Sequence, residues 1–223
     1  MKILSIDTVT SVLSITAAGP SGTTTVTVDS GAQHAERLLP AIQSAMELSG
    51  IEPANVDLVV CAEGPGSFTG LRLGYSTAKA FQLAAGCPLI PVSPLVCYSR
   101  PFAEWPGAVV SVLDAKKGRY YAQVFRKGEP ACGALDADAA DIMRLVDAEE
   151  RVLFTGPDAE QFGEVFSGLF PTVSLTVIPS GLEGISSEMA KIVQTGISGY
   201  TVGVSDQAGP VYVRKSDAEN KHT

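Results

Sequence analysis

Residues 2–28 read KILSIDTVTSVLSITAAGPSGTTTVTV. Three runs rich in apolar and β-branched residues, 2–7, 11–18 and 23–28, are separated by two short turns, the second made of Gly, Pro and Ser. Such runs favour strands, and short turns join antiparallel neighbours, so the stretch predicts a three-stranded meander. Beyond it the period changes. HAERLLPAIQSAMELS (34–49) repeats at helical spacing and is followed by the stop signal Gly50, with Pro40 expected to kink its early turns. VDLVVCA (56–62) reads as a strand covered on both faces, and 68–86 as a second helix ending at Gly86. PLIPVS (88–93) is a further strand, and Ser93 is placed to cap a helix over 94–103.

The pattern then restarts. AVVSVLDA (108–115) and RYYAQVFR (119–126) read as a hairpin. A helix at 137–148, a strand at 151–155, a helix at 158–168, a strand at 173–178 and a helix at 183–195 follow, and then a polar tail. A meander followed by α-β-α-β is a ribonuclease-H-like half. Two in tandem predict the α/β actin/sugar-kinase/Hsp70 (ASKHA) architecture, an argument from fold analogy. Trp105-Pro106-Gly107 breaks the pattern, dividing the chain into a half at 1–105 and a smaller α/β half at 106–223.

The chain has 223 residues, 45% of them hydrophobic, and a net charge of -8. That describes a globular protein repelled by nucleic-acid phosphates, so it is not expected to hold nucleic acid on its own. The short basic knots at Lys116, Lys117, Arg119, Arg126 and Lys127 read as solvated turns. Cysteines 61, 87, 97 and 132 include no CxxC pair. MKILSID turns polar too early for a signal peptide, and no apolar run reaches the roughly 18 residues of a membrane helix. The expectation is a cytoplasmic protein with no membrane contact.

GPGSFTGLR (64–72) looks like a phosphate loop, yet three known patterns fail on spacing. A P-loop needs a Gly-Lys pair, and Leu71 follows Gly70. A dinucleotide loop needs GxGxxG, and here the spacing is GxGxxxG. A nucleophile elbow needs GxSxG, and Pro65 stands two residues before Ser67. What remains is a strand–loop–helix junction in which Ser67 or Thr69 caps the helix, either holding an anion or packing tightly. His34 and His222 are the two histidines, and Leu38 stands where an HxxxH pair would need another. No metal site and no catalytic residue is assigned. Asp7 and Asp114, each ending an apolar strand, occupy equivalent places in the two halves. With Thr8, Thr10 and Ser11 they are the candidate nucleotide loop of an alternative ATPase or phosphotransferase reading.

Both first-half helices carry doubled apolar rows. In the first, Ala35, Leu39, Ile42 and Met46 form one row and Leu38, Ala41, Ala45 and Leu48 another. In the second, Leu73, Thr77, Ala80 and Ala84 stand beside Leu71, Tyr75, Ala78, Gln82 and Ala85. Two rows predict two covered sides, the second closed either by the two helices covering each other or, the favoured reading, by another chain.

Taken with HAERLLP (34–40), DAKKGRYYAQVF (114–125) and PVYVR (210–214), the opening strands and GPGSFTGLR resemble the TsaB (YeaZ) family. The resemblance implies an ASKHA-like fold and a non-catalytic partner for a TsaD-type subunit that forms threonylcarbamoyladenosine beside the anticodon of tRNA. It also implies a TsaE-type ATPase as a further partner and a possible homodimer, with ATP and Mg²⁺ entering only through the complex and no intrinsic cofactor. By likeness the two helices carry the contact. The residues chosen on them are His34, Arg37, Leu38, Ala41, Ala45, Leu48, Leu71, Arg72, Tyr75, Ala78 and Gln82. A peptidase reading lacks both HxxxH and GxSxG.

Overall fold

The meander forms as its composition dictates. β1 (Ile3–Asp7), β2 (Val12–Gly19) and β3 (Gly22–Asp29) pair antiparallel, with Ile6 opposite Ile15 and Ile15 opposite Val26. The computed structural model describes residues 1–31, 33–146, 151–196, 200, 203–204 and 208–214. α1 (His34–Ser49) continues through Pro40 and closes on left-handed Gly50. β4 (Leu58–Ala62) then pairs parallel to β1, α2 (Phe68–Ala85) follows, and β5 (Leu89–Val92) pairs parallel to β4. The sheet order is β3-β2-β1-β4-β5.

A second sheet repeats that plan. α3 (Pro94–Ser99) and a 3₁₀ turn at Arg100–Phe102 lead to β6 (Ala108–Asp114), which pairs antiparallel with β7 (Tyr120–Arg126). Two short strands, β8 (Glu129–Pro130) and β9 (Leu135–Ala137), both pair with β7. α4 (Ala139–Met143), β10 (Val152–Thr155), α5 (Ala159–Leu169) and β11 (Leu175–Val177) follow, with β10 parallel to both β6 and β11. In each sheet the first strand sits centrally, with an antiparallel hairpin on one side and two parallel strands on the other. That is the tandem ribonuclease-H-like, ASKHA-type architecture.

The chain divides into two compact units, one of Met1–Pro94 and Glu183–Val211, the other of Leu95–Leu182 and Tyr212 onward. The boundary read at 105/106 therefore lies inside the second unit. Segment 95–105 is held there: the Ser111 hydroxyl donates to the Leu95 carbonyl at 2.7 Å, and the Trp105 indole donates to the Arg151 carbonyl at 3.3 Å. Pro106-Gly107 marks the turn into β6 rather than a domain junction. The last helix, α6 (Ser186–Gln194), returns to the first unit. Ser186 hydrogen-bonds the hydroxyls of Ser14 and Thr16, and Met189, Ala190 and Ile192 are buried.

Each unit has its own core. In the first, Leu4, Ile6, Leu13, Ile15, Val59 and Cys61 of the sheet meet Leu38, Ile42, Met46 and Tyr75 of α1 and α2. In the second, Phe154 packs edge to face on both Phe162 and Phe166 at 4.9 Å, and the three stand among β6, β7 and β10. The predicted helix at 137–148 is corrected. Residues 135–137 are β9, and α4 starts only after Asp138, whose carboxylate accepts from the Asp141 N–H while Asp141 accepts in return. Residues 147–148 of that predicted helix and the tail beyond Arg214 lie outside the described residues.

Candidate functional site

The β1–β2 loop and the α2 junction are built as one packed piece. Asp7 ends β1 and is 1% exposed. Its two carboxylate oxygens are both engaged: Oδ1 accepts from the Val9 N–H at 3.1 Å, and Oδ2 from the Ile185 N–H at 2.8 Å, just before α6. Burial pushes its pKa up to about 6, against the pull of those two donors. Thr8 donates its hydroxyl to the Gly70 carbonyl at 2.7 Å, and the Ser67 N–H reaches the Val9 carbonyl at 3.0 Å. Ser67 is the cap of α2, accepting from the Gly70 N–H at 3.3 Å. Gly70 lies so close to the Thr8 carbonyl that a Cβ there would overlap it. Gly64 has φ +108°, and its missing side chain leaves room for the Val211 carbonyl, 2.5 Å from where a Cβ would lie. GPGSFTGLR thus holds a shape.

A divalent cation beside phosphates needs carboxylate oxygens turned outward with room for water. Asp7 offers neither. Thr10 and Ser11 are likewise tied to the local backbone: the Thr10 hydroxyl accepts from the Val12 N–H, and the Ser11 carbonyl accepts from the Ser30 N–H. In the second unit Asp114 accepts from the Lys116 N–H and from Lys116 Nζ, both at 2.7 Å, while its own N–H donates to Asp158 Oδ2 at 2.8 Å. Asp7, buried with both oxygens taken, does not fit as a ligand of a phosphate-bound Mg²⁺. Among the described residues there is no group of three His, Cys, Asp or Glu placed to hold a metal ion.

His34 is nearly buried at the start of α1. Its Nε2 donates to the Thr10 carbonyl at 2.8 Å, and its Nδ1 shares a 2.8 Å hydrogen bond with the Ser30 hydroxyl. The histidine ties α1 to the β1–β2 loop and has no nitrogen left for a metal. Leu38, one turn on, is core.

The doubled helix rows are corrected. Leu38, Ala41 and Ala45 are buried together with Ile42 and Met46, so both rows of α1 supply one inward face. At about 100° per residue these positions span an arc of roughly 140°, with Leu38 and Ala45 near its middle. Leu71, Tyr75 and Ala78 do the same on α2, where Gln82 is half-buried. The Tyr75 hydroxyl, also buried, has no hydrogen-bond partner among the described residues. Of the chosen contact residues, Arg37, Leu48 and Arg72 face outward, Arg72 lying over the Phe68 ring at 3.9 Å. The outward apolar surface comes instead from Leu48 (74% exposed), Leu39 (63%) and Leu83 (75%). Leu83 was in neither row.

Sequence reading also left PVYVR without a role. Val211 donates its N–H to the Glu63 carbonyl at 2.7 Å in the first unit. In the second, Arg214 forks onto Asp136 (2.6 and 2.9 Å) and donates to the Ala115 carbonyl at 2.8 Å. Arg119 also pairs with Asp136, and these guanidinium contacts hold that carboxyl below its usual range.

The family model described as TsaD, tRNA N6-adenosine threonylcarbamoyltransferase, matches residues 27–169. The chain is 29% identical to the tRNA threonylcarbamoyladenosine biosynthesis protein TsaB of Escherichia coli K12, over 99% of this chain and 98% of that protein. It is 25% identical to the Bacillus subtilis protein of the same name, over 84% and 82%. An uncharacterized protein of Mycobacterium tuberculosis H37Rv is 32% identical over 70% of this chain and 75% of its own. Among solved structures, YeaZ from Pseudomonas aeruginosa superposes with a TM-score of 0.72 at 21% identity, covering 95% of this chain and 99% of that one, a likeness of fold.

Proposed function

The chain belongs to the TsaB (YeaZ) family, and from that premise we propose that it is the non-catalytic subunit of a tRNA threonylcarbamoyladenosine-forming assembly. It pairs with a TsaD-type transferase, joined by a TsaE-type ATPase, and acts on tRNAs reading codons that begin with A. The observation that carries the non-catalytic role is the engagement of Asp7 and His34, the two groups that hydrolytic or metal chemistry would recruit in the first unit. Both are spent on the chain's own backbone and Ser30. ATP and Mg²⁺ enter through the ATPase, tRNA is held mainly by the transferase, and this chain has no cofactor of its own. Its net charge of -8 supports indirect tRNA contact.

The docking surface is the outward side of α1 and α2, with Arg37, Leu39, Leu48, Arg72 and Leu83. Exposed leucines with flanking arginines suit an interface core and rim. Mixing the chain with a TsaD-type subunit on a sizing column tests the reading. A joint peak is expected, reduced by Leu39→Glu with Leu48→Glu. Separate peaks at micromolar concentration, with or without the ATPase, would count against it.

A further inference from the structure

The first sheet ends on one side at β3. The Ser30 N–H reaches the Ser11 carbonyl at 3.3 Å, and Val12 stands opposite Asp29. Bonded and unbonded pairs alternate along an antiparallel ladder. Thr24, Val26 and Val28 therefore bond to β2, while Thr23, Thr25, Thr27 and Asp29 turn their N–H and C=O groups outward. All four are exposed, and no described residue takes those groups. The other edges are guarded. β5 has four residues, includes Pro91 and gives its Leu89 carbonyl to the Val204 N–H at 2.9 Å. In the second sheet β8, β9 and β11 are two or three residues long. β3 has eight residues in unbroken register, with no proline and no charge before Asp29. Shortness, proline and charge are the usual guards of an edge, and β3 lacks all three along its length.

Two carboxylates mark this edge. Asp29 ends β3, and Glu183 is set beside it because the Thr27 hydroxyl donates to its carbonyl at 3.1 Å. Both residues are exposed, and neither forms an ion pair among the described residues. On the other face Val26 and Val28 are half-buried against the core, leaving apolar surface that a neighbouring strand would cover. Free backbone groups along a strand are satisfied by an extended chain lying beside it. A second copy's β3 holds no Lys or Arg and would set carboxylate near carboxylate, so it is the poorer occupant. We propose that the β3 edge seats an extended basic segment of a partner polypeptide as a sixth strand of the first sheet. Its backbone pairs with Thr23, Thr25, Thr27 and Asp29, its apolar side chains lie beside Val26 and Val28, and its cations meet Asp29 and Glu183. This edge is a different surface from the outward side of α1 and α2 and does not depend on the subunit reading.

The test is amide hydrogen exchange on the full chain with synthetic peptides of alternating Thr and Val. One is flanked by Arg, one by Glu, and a third is flanked by Arg with its central amides N-methylated. In the free chain the Thr23, Thr25 and Thr27 amides are expected to exchange fast, and those of Thr24, Val26 and Val28 slowly. The Arg peptide should slow the first three saturably, by about tenfold or more. The N-methylated peptide keeps the side chains and charges but cannot pair as a strand, so it should slow none, and the Glu peptide likewise. Asp29→Asn with Glu183→Gln should weaken the Arg peptide roughly fivefold, with the slow Val26 amide certifying the fold. The proposal is overturned if the three outward amides are already slow in the dilute chain alone, if the Arg peptide leaves them fast, or if either control peptide acts equally. Slowing that follows chain concentration alone would also overturn it, assigning the edge to a second copy. No transferase subunit is needed, so failure here is distinguishable from failure of the joint peak.

Discussion

At Gly70 the backbone of α2 meets the Thr8 carbonyl with no space for a methyl group. Gly70→Ala must push the β1–β2 loop and α2 apart, and a loss of at least about 2 kcal/mol is expected in urea unfolding. The carboxyls nearby set a pH dependence. Burial raises Asp7 to about 6 and Glu63 to about 7. The unfolded chain ionises these groups first, near pH 4, while the folded chain still holds their protons. Their effect therefore erodes stability as pH rises from about 4 to 7, and the erosion is complete above the folded values. Glu63→Gln should flatten that fall, seen in thermal midpoints taken across the window; an unchanged slope would exclude Glu63 as a contributor. In the other unit, Arg214→Ala should cost about 1–3 kcal/mol, and the double change with Asp136→Asn should cost less than the sum of the two single changes because they share one contact, the remainder being the weakened Arg119–Asp136 pair.

Elements were more legible than their orientation. α1 and α2 occupy the spans that their spacing and terminal glycines announced, and the meander is where its β-branched runs put it. The faces were harder. Spacings of three and four generate two rows on any helix with a broad apolar arc, so the rows through Ala41 and through Met46 looked like two sides when those residues are the two edges of one. Ala78→Asp therefore places an unpaired charge at a position with 0% exposure. Loss of folding is expected by circular dichroism, rather than a clean loss of partner binding. Leu39→Glu should leave stability within about 0.5 kcal/mol. β9 was missed because three residues carry no periodicity of their own, and only pairing with Tyr120–Ala122 makes them a strand.

At the scale of the whole chain, the doubled plan was legible from the repeat of hairpin, helix and strand, but the path between units was not. An amphipathic helix does not say which sheet it will cover. α6 lies in sequence with the second sheet, yet it packs on the first through Ser186 and Met189. The likeness carried by GPGSFTGLR and PVYVR was visible in the sequence, whereas the occupation of Asp7 by Ile185, a partner 178 residues away, was not. That occupation supports the proposed subunit role over the ATPase alternative.

Threonylcarbamoyl incorporation into tRNA, followed with the TsaE-type ATPase present and the TsaD-type subunit and this chain supplied singly or together, tests the central claim most directly. Incorporation is predicted only when both chains are present, and to the same extent when this chain carries Asp7→Asn in a folded form. Incorporation by this chain without the transferase, or full activity of the transferase without this chain, would contradict it.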